Sequence, residues 1–359
     1  MSNDTKMNET EFKRQNEGLD AAFALSVKGD LDGSEKILSS LGDNDPRVRF
    51  NLGWHNMRRG NLFKGYEGLN SGRIFDGFGG AKNPYGTLYN GQSLKDKTLL
   101  FHGEGGLGDE IINVRFVKDF HERGAKVLLG CNKELYPIFK NIPYVSAVID
   151  KNVCVHSHYD YWVQAMSAPY ALKYEYNDLS GKPYLNYFSP KYLPNKHNKI
   201  KVGLRWAGSP KFEHEQHRRF PTKHMLELTE LKQFSFYSLQ RDDDLLSTGQ
   251  FIDLRYEMKT WRDTAEIISG LDLIITSCTS VAHLSAAMGK PTWIIVPALS
   301  YYMWVLPGNK SPWYDGVTLY RQTEYNNWNA PFEQLQSISY TLFVTFIFSN
   351  KWYISIYPL

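Results

Sequence analysis

Four hydroxyl residues, Thr276, Ser277, Thr279 and Ser280, sit just ahead of a helix signature, and here the chain is best equipped to hold an anion. Before them Leu271, Leu273, Ile274 and Ile275 read as a buried strand. After them Val281, Leu284, Ala287 and Met288 recur at helical spacing until Gly289 and Pro291 stop the helix, and 292–296 reads as the next strand. A strand that feeds a Ser/Thr-capped helix aims backbone N–H groups and the positive helix end beyond the sheet edge, where an anion would sit. An ordinary β–α unit with a polar cap has the same pattern. A second cluster, Gly103-Glu104-Gly105-Gly106-Leu107-Gly108-Asp109, lies between a predicted strand, 98–102, and a predicted helix, 110–123. Gly103, Gly105 and Gly108 satisfy G-x-G-x-x-G, but a dinucleotide site normally wants an acid at the end of the next strand. That strand ends Gly130-Cys131-Asn132, with no acid before Glu134, which argues against a nicotinamide or flavin cofactor. The loop instead suits close backbone approach by a substrate, with Asp109 in the first helical turn. There the helix dipole is expected to lower its pKa and hold it ionised. A fixed carboxylate facing a cleft is a candidate general base; the plainer role is a charge that only stabilises the helix.

The elements that must position these groups follow an α/β pattern. Strands are predicted at 98–102, 126–130 and 146–149, then at 201–206, 235–239, 273–276 and 292–296. Helices alternate with them near 110–123, 134–140, 222–231, 260–270 and 280–288. Two such units joined by the polar stretch 190–199 imply two Rossmann-like domains facing across a cleft. Ahead of them, residues 11–75 read as helices. Phe23 and Trp54 correspond, as do Gly29 and Gly60, at a spacing of 31 residues, close to the tetratricopeptide period. The expected division is a helical domain, 1–75, a linker, 76–96, a first Rossmann-like domain, 97–190, a second, 191–336, and an apolar tail, 337–359, of open role.

Net charge is +3 and no basic run marks nucleic acid as a partner. The three cysteines, Cys131, Cys154 and Cys278, are odd in number and lack C-x-x-C spacing, which fits a reducing compartment and excludes a cysteine zinc site. The polar N-terminus shows no signal-peptide pattern. The expected location is the cytoplasm, with room for peripheral association at the inner membrane face.

In order along the chain stand Gly106-Leu107-Gly108-Asp109, the strand ending Arg205-Trp206 with Ala207-Gly208-Ser209-Pro210, and Thr279-Ser280-Val281-Ala282-His283-Leu284. Gly289-Lys290-Pro291, Ser311-Pro312-Trp313-Tyr314, Leu319-Tyr320-Arg321-Gln322 and Asn327-Trp328 follow. Over residues 20–336 this order resembles the tetratricopeptide-linked bacterial glycosyltransferases related to ADP-heptose:lipopolysaccharide heptosyltransferases, and more distantly protein O-GlcNAc transferase. The resemblance implies a GT-B fold, inversion at the anomeric carbon, no required metal or cofactor, and a donor nucleotide seated mainly in the C-terminal domain. It implies Asp109 as the base that deprotonates the acceptor hydroxyl, with Gly105, Gly106 and Gly108 forming the acceptor-side loop. Thr279, Ser280 and His283 match the donor turn and helix, His283 is placed with Asp109 among the catalytic residues as a donor to a phosphate or sugar oxygen, and Arg205 with Arg218 or Arg219 could stabilise the departing diphosphate. Cys278 departs from the pattern, since many relatives carry an aspartate there. A thiol cannot replace a carboxylate acceptor, so donor identity and turnover itself are placed in question. A redox or nucleophilic thiol, depressed by the helix end, is the less favoured role for Cys278.

Two other clusters are decoys. Asp242-Asp243-Asp244 looks like a metal-binding D-x-D but suits a solvated loop, and His214-Glu215-Gln216-His217 lacks the spacing of H-E-x-x-H. The resulting expectation is a transferase taking a nucleoside-diphosphate sugar, ADP-heptose-like, to a saccharide or lipopolysaccharide-type acceptor. The helical domain leaves room for a protein partner. The alternatives are a non-catalytic nucleotide-sugar-binding or scaffold protein and a non-hydrolysing nucleotide-sugar epimerase.

Overall fold

The computed structural model describes residues 9–75, 77–79, 84–195, 199–241 and 250–337. Asp242-Asp243-Asp244 and, apart from Ser337, the apolar tail lie outside them.

Four helices open the chain: α1 (Glu9–Lys28), α2 (Leu31–Leu41), α3 (Pro46–Arg58) and α4 (Leu62–Asn70). Asp30 and Asp45 cap the second and third by accepting the N–H groups of Gly33 at 2.9 Å and Arg47 at 2.8 Å, and Pro46 pre-sets the first turn of α3. α3 and α4 touch backbone to backbone. A Cβ on Gly53 would stand 2.7 Å from the Gly65 carbonyl oxygen, so only glycine permits this approach. Met57, Leu62, Tyr66 and Leu69 are fully buried in the same core as Leu99 and Phe101, which merges this helical unit with the first sheet.

The first sheet comprises β1 (Thr87–Leu88), β2 (Lys97–His102), β3 (Ala125–Cys131), β4 (Ala147–Asp150) and β5 (Tyr161–Gln164). Its order is β1-β5-β2-β3-β4 and every pairing is parallel. Thr87–Leu88, inside the expected linker, thus supplies an edge strand. The expected helix 110–123 is broken into α5 (Leu107–Asn113), a 3-10 turn at Val114–Phe116, and α6 (Val117–Glu122). At the break Arg115 donates back to the Ile112 carbonyl at 3.0 Å and outward to the Trp313 carbonyl at 2.6 Å. α7 (Tyr136–Phe139) and α8 (Ala168–Leu172) complete this half.

The second sheet comprises β6 (Ile200–Arg205), β7 (Phe234–Ser238), β8 (Ile252–Asp253), β9 (Leu273–Ser277), β10 (Thr292–Val296) and β11 (Val317–Arg321). Its order, β11-β10-β9-β6-β7-β8, is again wholly parallel. α9 (Glu215–Arg218), α10 (Thr222–Thr229), α11 (Trp261–Gly270) and α12 (Ser280–Ala287) accompany it. β9 and β10 are buried at every residue, as parallel strands covered on both faces must be. The α/β architecture of two parallel sheets behind a helical region therefore matches the sequence reading. No described helix is long and apolar enough to cross a membrane.

Strand order decides where a ligand can bind. In the first sheet the chain leaves β2 towards β3 and β4 on one side, and β5 returns on the other. In the second it leaves β6 towards β7 and β8, and later leaves β9 towards β10 and β11. A crevice opens beyond the carboxyl ends of strands at such reversals. The Gly-rich loop after β2 and the hydroxyl turn after β9 both lie at one.

Candidate active site

From His102 the chain turns through the glycines into α5. The Gly103 N–H donates to the Gly130 carbonyl at 2.7 Å, Gly105 adopts φ +69°, and Gly106 is the N-cap of α5. The Gly106 N–H donates to Oδ2 of Asp109 at 2.8 Å, and the Tyr301 hydroxyl, from the other half of the molecule, donates to Oδ1 at 3.1 Å. Asp109 is half-buried, and burial pushes its carboxyl up despite both donors. This reverses the sequence expectation of a lowered value. α5 has only seven residues, and desolvation outweighs its dipole.

The neighbouring acids do different work. Glu104 is enclosed and bound by Arg73 through two hydrogen bonds, 2.7 and 2.9 Å, and by the Met166 N–H at 3.1 Å. Glu110 accepts from Lys151 Nζ at 2.6 Å and from the Asn132 N–H at 2.7 Å. Both acids hold the loop. Asp109 carries no ion pair among the described residues and meets neutral donors only.

Opposite, Thr279 caps α12 with extended backbone (φ −116°, ψ 177°), but its side chain makes no capping bond. Its hydroxyl lies 3.4 Å from that of Thr276, which donates to the Ser277 carbonyl at 2.8 Å. The fully buried Ser277 hydroxyl has no hydrogen-bond partner among the described residues. Ser280, in the first turn, is half-buried. Cys278 is buried and its carbonyl accepts from Arg218 Nη1 at 3.0 Å. Burial raises its thiol above the ordinary value, the opposite of the depressed, reactive thiol a helix end could produce.

Arg218 is the cation seated on this turn. Its Nε donates to Glu215 at 2.5 Å, the other Glu215 oxygen accepts the Gly208 N–H at 2.5 Å, and the guanidinium lies 4.4 Å from the Phe212 ring centroid. Arg219 beside it is exposed. Arg205 ends β6 in register with Thr276 and donates to the Leu239 carbonyl at 2.9 Å. Glu215 is thus engaged by Arg218 and Gly208, while the His214 and His217 rings lie tilted to each other with centroids 5.9 Å apart.

His283, one turn into α12, is 5% exposed. Its ring stacks on Trp304 at 5.3 Å and its Nδ1 lies 3.0 Å from the Tyr314 hydroxyl. Burial, with Arg115 and Arg218 nearby, drives its pKa down to about 3, so the ring is neutral at physiological pH. Arg115 pins this corner between the halves, 4.5 Å from the Tyr314 ring and 4.7 Å from that of Tyr184.

The two helix ends meet. A Cβ on Gly108 would stand 3.1 Å from His283 Cδ2 and 3.4 Å from Ser280 Cα, so a side chain there would press on α12. The structure therefore brings Gly105, Gly106, Gly108 and Asp109 to one side of a seam, with Thr279, Ser280 and His283 on the other. Sequence reasoning missed Tyr301, Trp304 and Arg115. Their aromatic and basic surroundings read equally well as packing, and only Trp313-Tyr314 stood in a motif.

No protein-family model matches the chain. Protein FlbA of Caulobacter vibrioides is 24% identical over 285 residues, covering 68% of this chain and 46% of FlbA, so the chain spans under half the length of that relative. Among solved structures, a glycosyl transferase family 9 protein from Veillonella parvula aligns at 10% identity and TM-score 0.49, over 71% of this chain and 99% of its own. Heptosyltransferase WaaC of E. coli, solved with ADP-2-deoxy-2-fluoro heptose, aligns at 13% and 0.48, over 68% and 99%. ADP-heptose lps heptosyltransferase II of E. coli aligns at 14% and 0.45, over 68% and 99%.

Proposed function

We propose that the chain is an inverting, metal-independent glycosyltransferase of GT-B type that moves a sugar from a nucleoside diphosphate to a hydroxyl acceptor. One observation carries the reading. The helix ends after β2 and β9, each at the reversal point of its own parallel sheet, abut at Gly108 and Ser280 and bring a carboxylate with no ion pair among the described residues beside a hydroxyl-lined turn. The first-turn N–H groups of α12 and the hydroxyls of Thr279 and Ser280 would hold the diphosphate, with Arg218 as the neighbouring positive charge. Asp109 would take the proton of the acceptor hydroxyl, and its raised pKa makes it a stronger base than an exposed aspartate. His283 is too weakly basic to carry a proton in this reaction. In the tautomer whose Nδ1 accepts from the Tyr314 hydroxyl, the Nε2–H of His283 would be a neutral donor towards a phosphate or sugar oxygen. The donor is ADP-heptose-like by resemblance, and the acceptor a saccharide or lipopolysaccharide-type molecule.

A second reading, a nucleotide-sugar-binding protein without turnover, is favoured by Cys278, a buried thiol that cannot accept as a carboxylate does. Thermal-shift titration with ADP, UDP, GDP and CDP sugars, followed by radiolabelled transfer, separates the two. A stabilising donor with transfer that Asp109→Asn abolishes is expected. A stabilising donor without transfer would favour the binding protein, and no response to any donor would refute both.

A further inference from the structure

The carboxylate at the seam is not held by its own half alone. Oδ2 of Asp109 is bound by the Gly106 N–H within its own helix turn, whereas Oδ1 accepts from Tyr301, which lies between β10 and β11. The segment carrying Tyr301 is anchored by Arg321, whose guanidinium donates to the carbonyls of Trp304, Leu306 and Gly308, each at 2.7 Å. The Tyr301 ring meets Trp54 of α3 edge-on at 5.6 Å, and Trp54 also packs against Tyr302 at 5.8 Å. Three parts of the molecule thus converge: the Gly-rich loop, the second sheet's connecting segment and the helical unit.

We propose that Tyr301 is a positioning residue for Asp109, orienting its carboxylate through the O–H to Oδ1 bond, and that Trp54 of the helical unit holds Tyr301 in place. This rests on Asp109 being the base. A carboxylate with one donor turns easily about its terminal torsion, which is broad and soft. Donors on both oxygens, one from each half of the molecule, define its plane and so the direction in which it accepts a proton. The arrangement exists only while the halves are docked and the helical unit is seated, which gives that unit a part in the chemistry.

The groups around Asp109 leave this bond readable. Glu104 from its own loop opposes its ionisation, its charge in turn opposes that of Glu110, and Arg218 from the facing loop favours it. Tyr66 of α4 and Tyr302 also face it, and His283 is neutral. Among the described residues only Gly106 and Tyr301 donate to the carboxylate.

The test is carboxyl NMR on the full chain labelled with 13C at aspartate, the Asp109 signal being identified by its absence in Asp109→Asn. Tyr301→Phe keeps the ring and removes the hydroxyl, so the ionised form loses a donor and the signal should titrate at higher pH than in the wild type. Trp54→Leu should move it the same way by less. Incorporation of 3-fluorotyrosine at 301, a stronger donor that deletes nothing, should move it to lower pH. An unchanged titration in folded Tyr301→Phe, or in the fluorinated protein, would overturn the proposal. Transfer by Asp109→Asn decides the base assignment separately: activity retained there removes the base while the titration still reports the bond.

Discussion

Asp109→Asn should separate chemistry from stability. Asparagine keeps the shape: its one carbonyl oxygen can accept from the Gly106 N–H while its amide NH2 donates to the Tyr301 hydroxyl, but it cannot take a proton. General-base work is worth about 100- to 10,000-fold in rate, or roughly 3–5 kcal/mol of barrier. Transfer should therefore fall at least about a hundredfold, while donor binding, which uses groups on α12, is kept. Stability should move the other way. Burial raises the folded-state carboxyl above its unfolded value, so the folded form binds the proton more tightly. Its stabilising contribution is then complete in acid and lost as pH rises through the raised value, so at neutral pH the ionised carboxylate is a net cost. Solvent reaching this half-buried side chain trims the effect. A gain in Tm at neutral pH is expected. It should disappear below about pH 4, where the unfolded carboxyl is also protonated. Scanning fluorimetry at neutral and acid pH, beside a radiolabel transfer assay, measures both halves. A lower Tm at neutral pH, or transfer within about tenfold of wild type, would refute the reasoning.

Arg73→Met strands the enclosed Glu104 carboxylate and should cost about 3–5 kcal/mol, with Arg73→Met/Glu104→Gln recovering part of the loss; a coupling below about 0.5 kcal/mol in chemical denaturation would contradict the buttress role. Cys278 should resist iodoacetamide in the native protein at mildly alkaline pH and react only after unfolding, which peptide mass spectrometry can follow; rapid native alkylation would mean that the thiol is neither buried nor raised. Chelation should leave transfer intact. Loss of activity restored by added manganese would instead point to a metal step.

The four inner strands of the second sheet were legible because parallel strands covered on both faces are rich in apolar residues: 292–296 matches Thr292–Val296, and 201–206 falls within one residue of Ile200–Arg205. Tyr161–Gln164 and Val317–Arg321 went unread because polar and aromatic residues interrupt them, and their place as strands depends on the neighbours they pair with. The Gly-rich loop and the hydroxyl turn could be found from the chain alone, since a strand, a tight turn and a capped helix are local signatures written in consecutive residues. Their meeting could not. That α5 and α12 abut at Gly108, that Arg218 sits on the Cys278 carbonyl, and that Tyr301 and Trp54 stand behind Asp109 depend on how two sheets and a helical unit dock. Residue order sets which groups are available. Docking sets the distances between them and the water they lose, and it is the loss of water that reversed the expected pKa of Asp109.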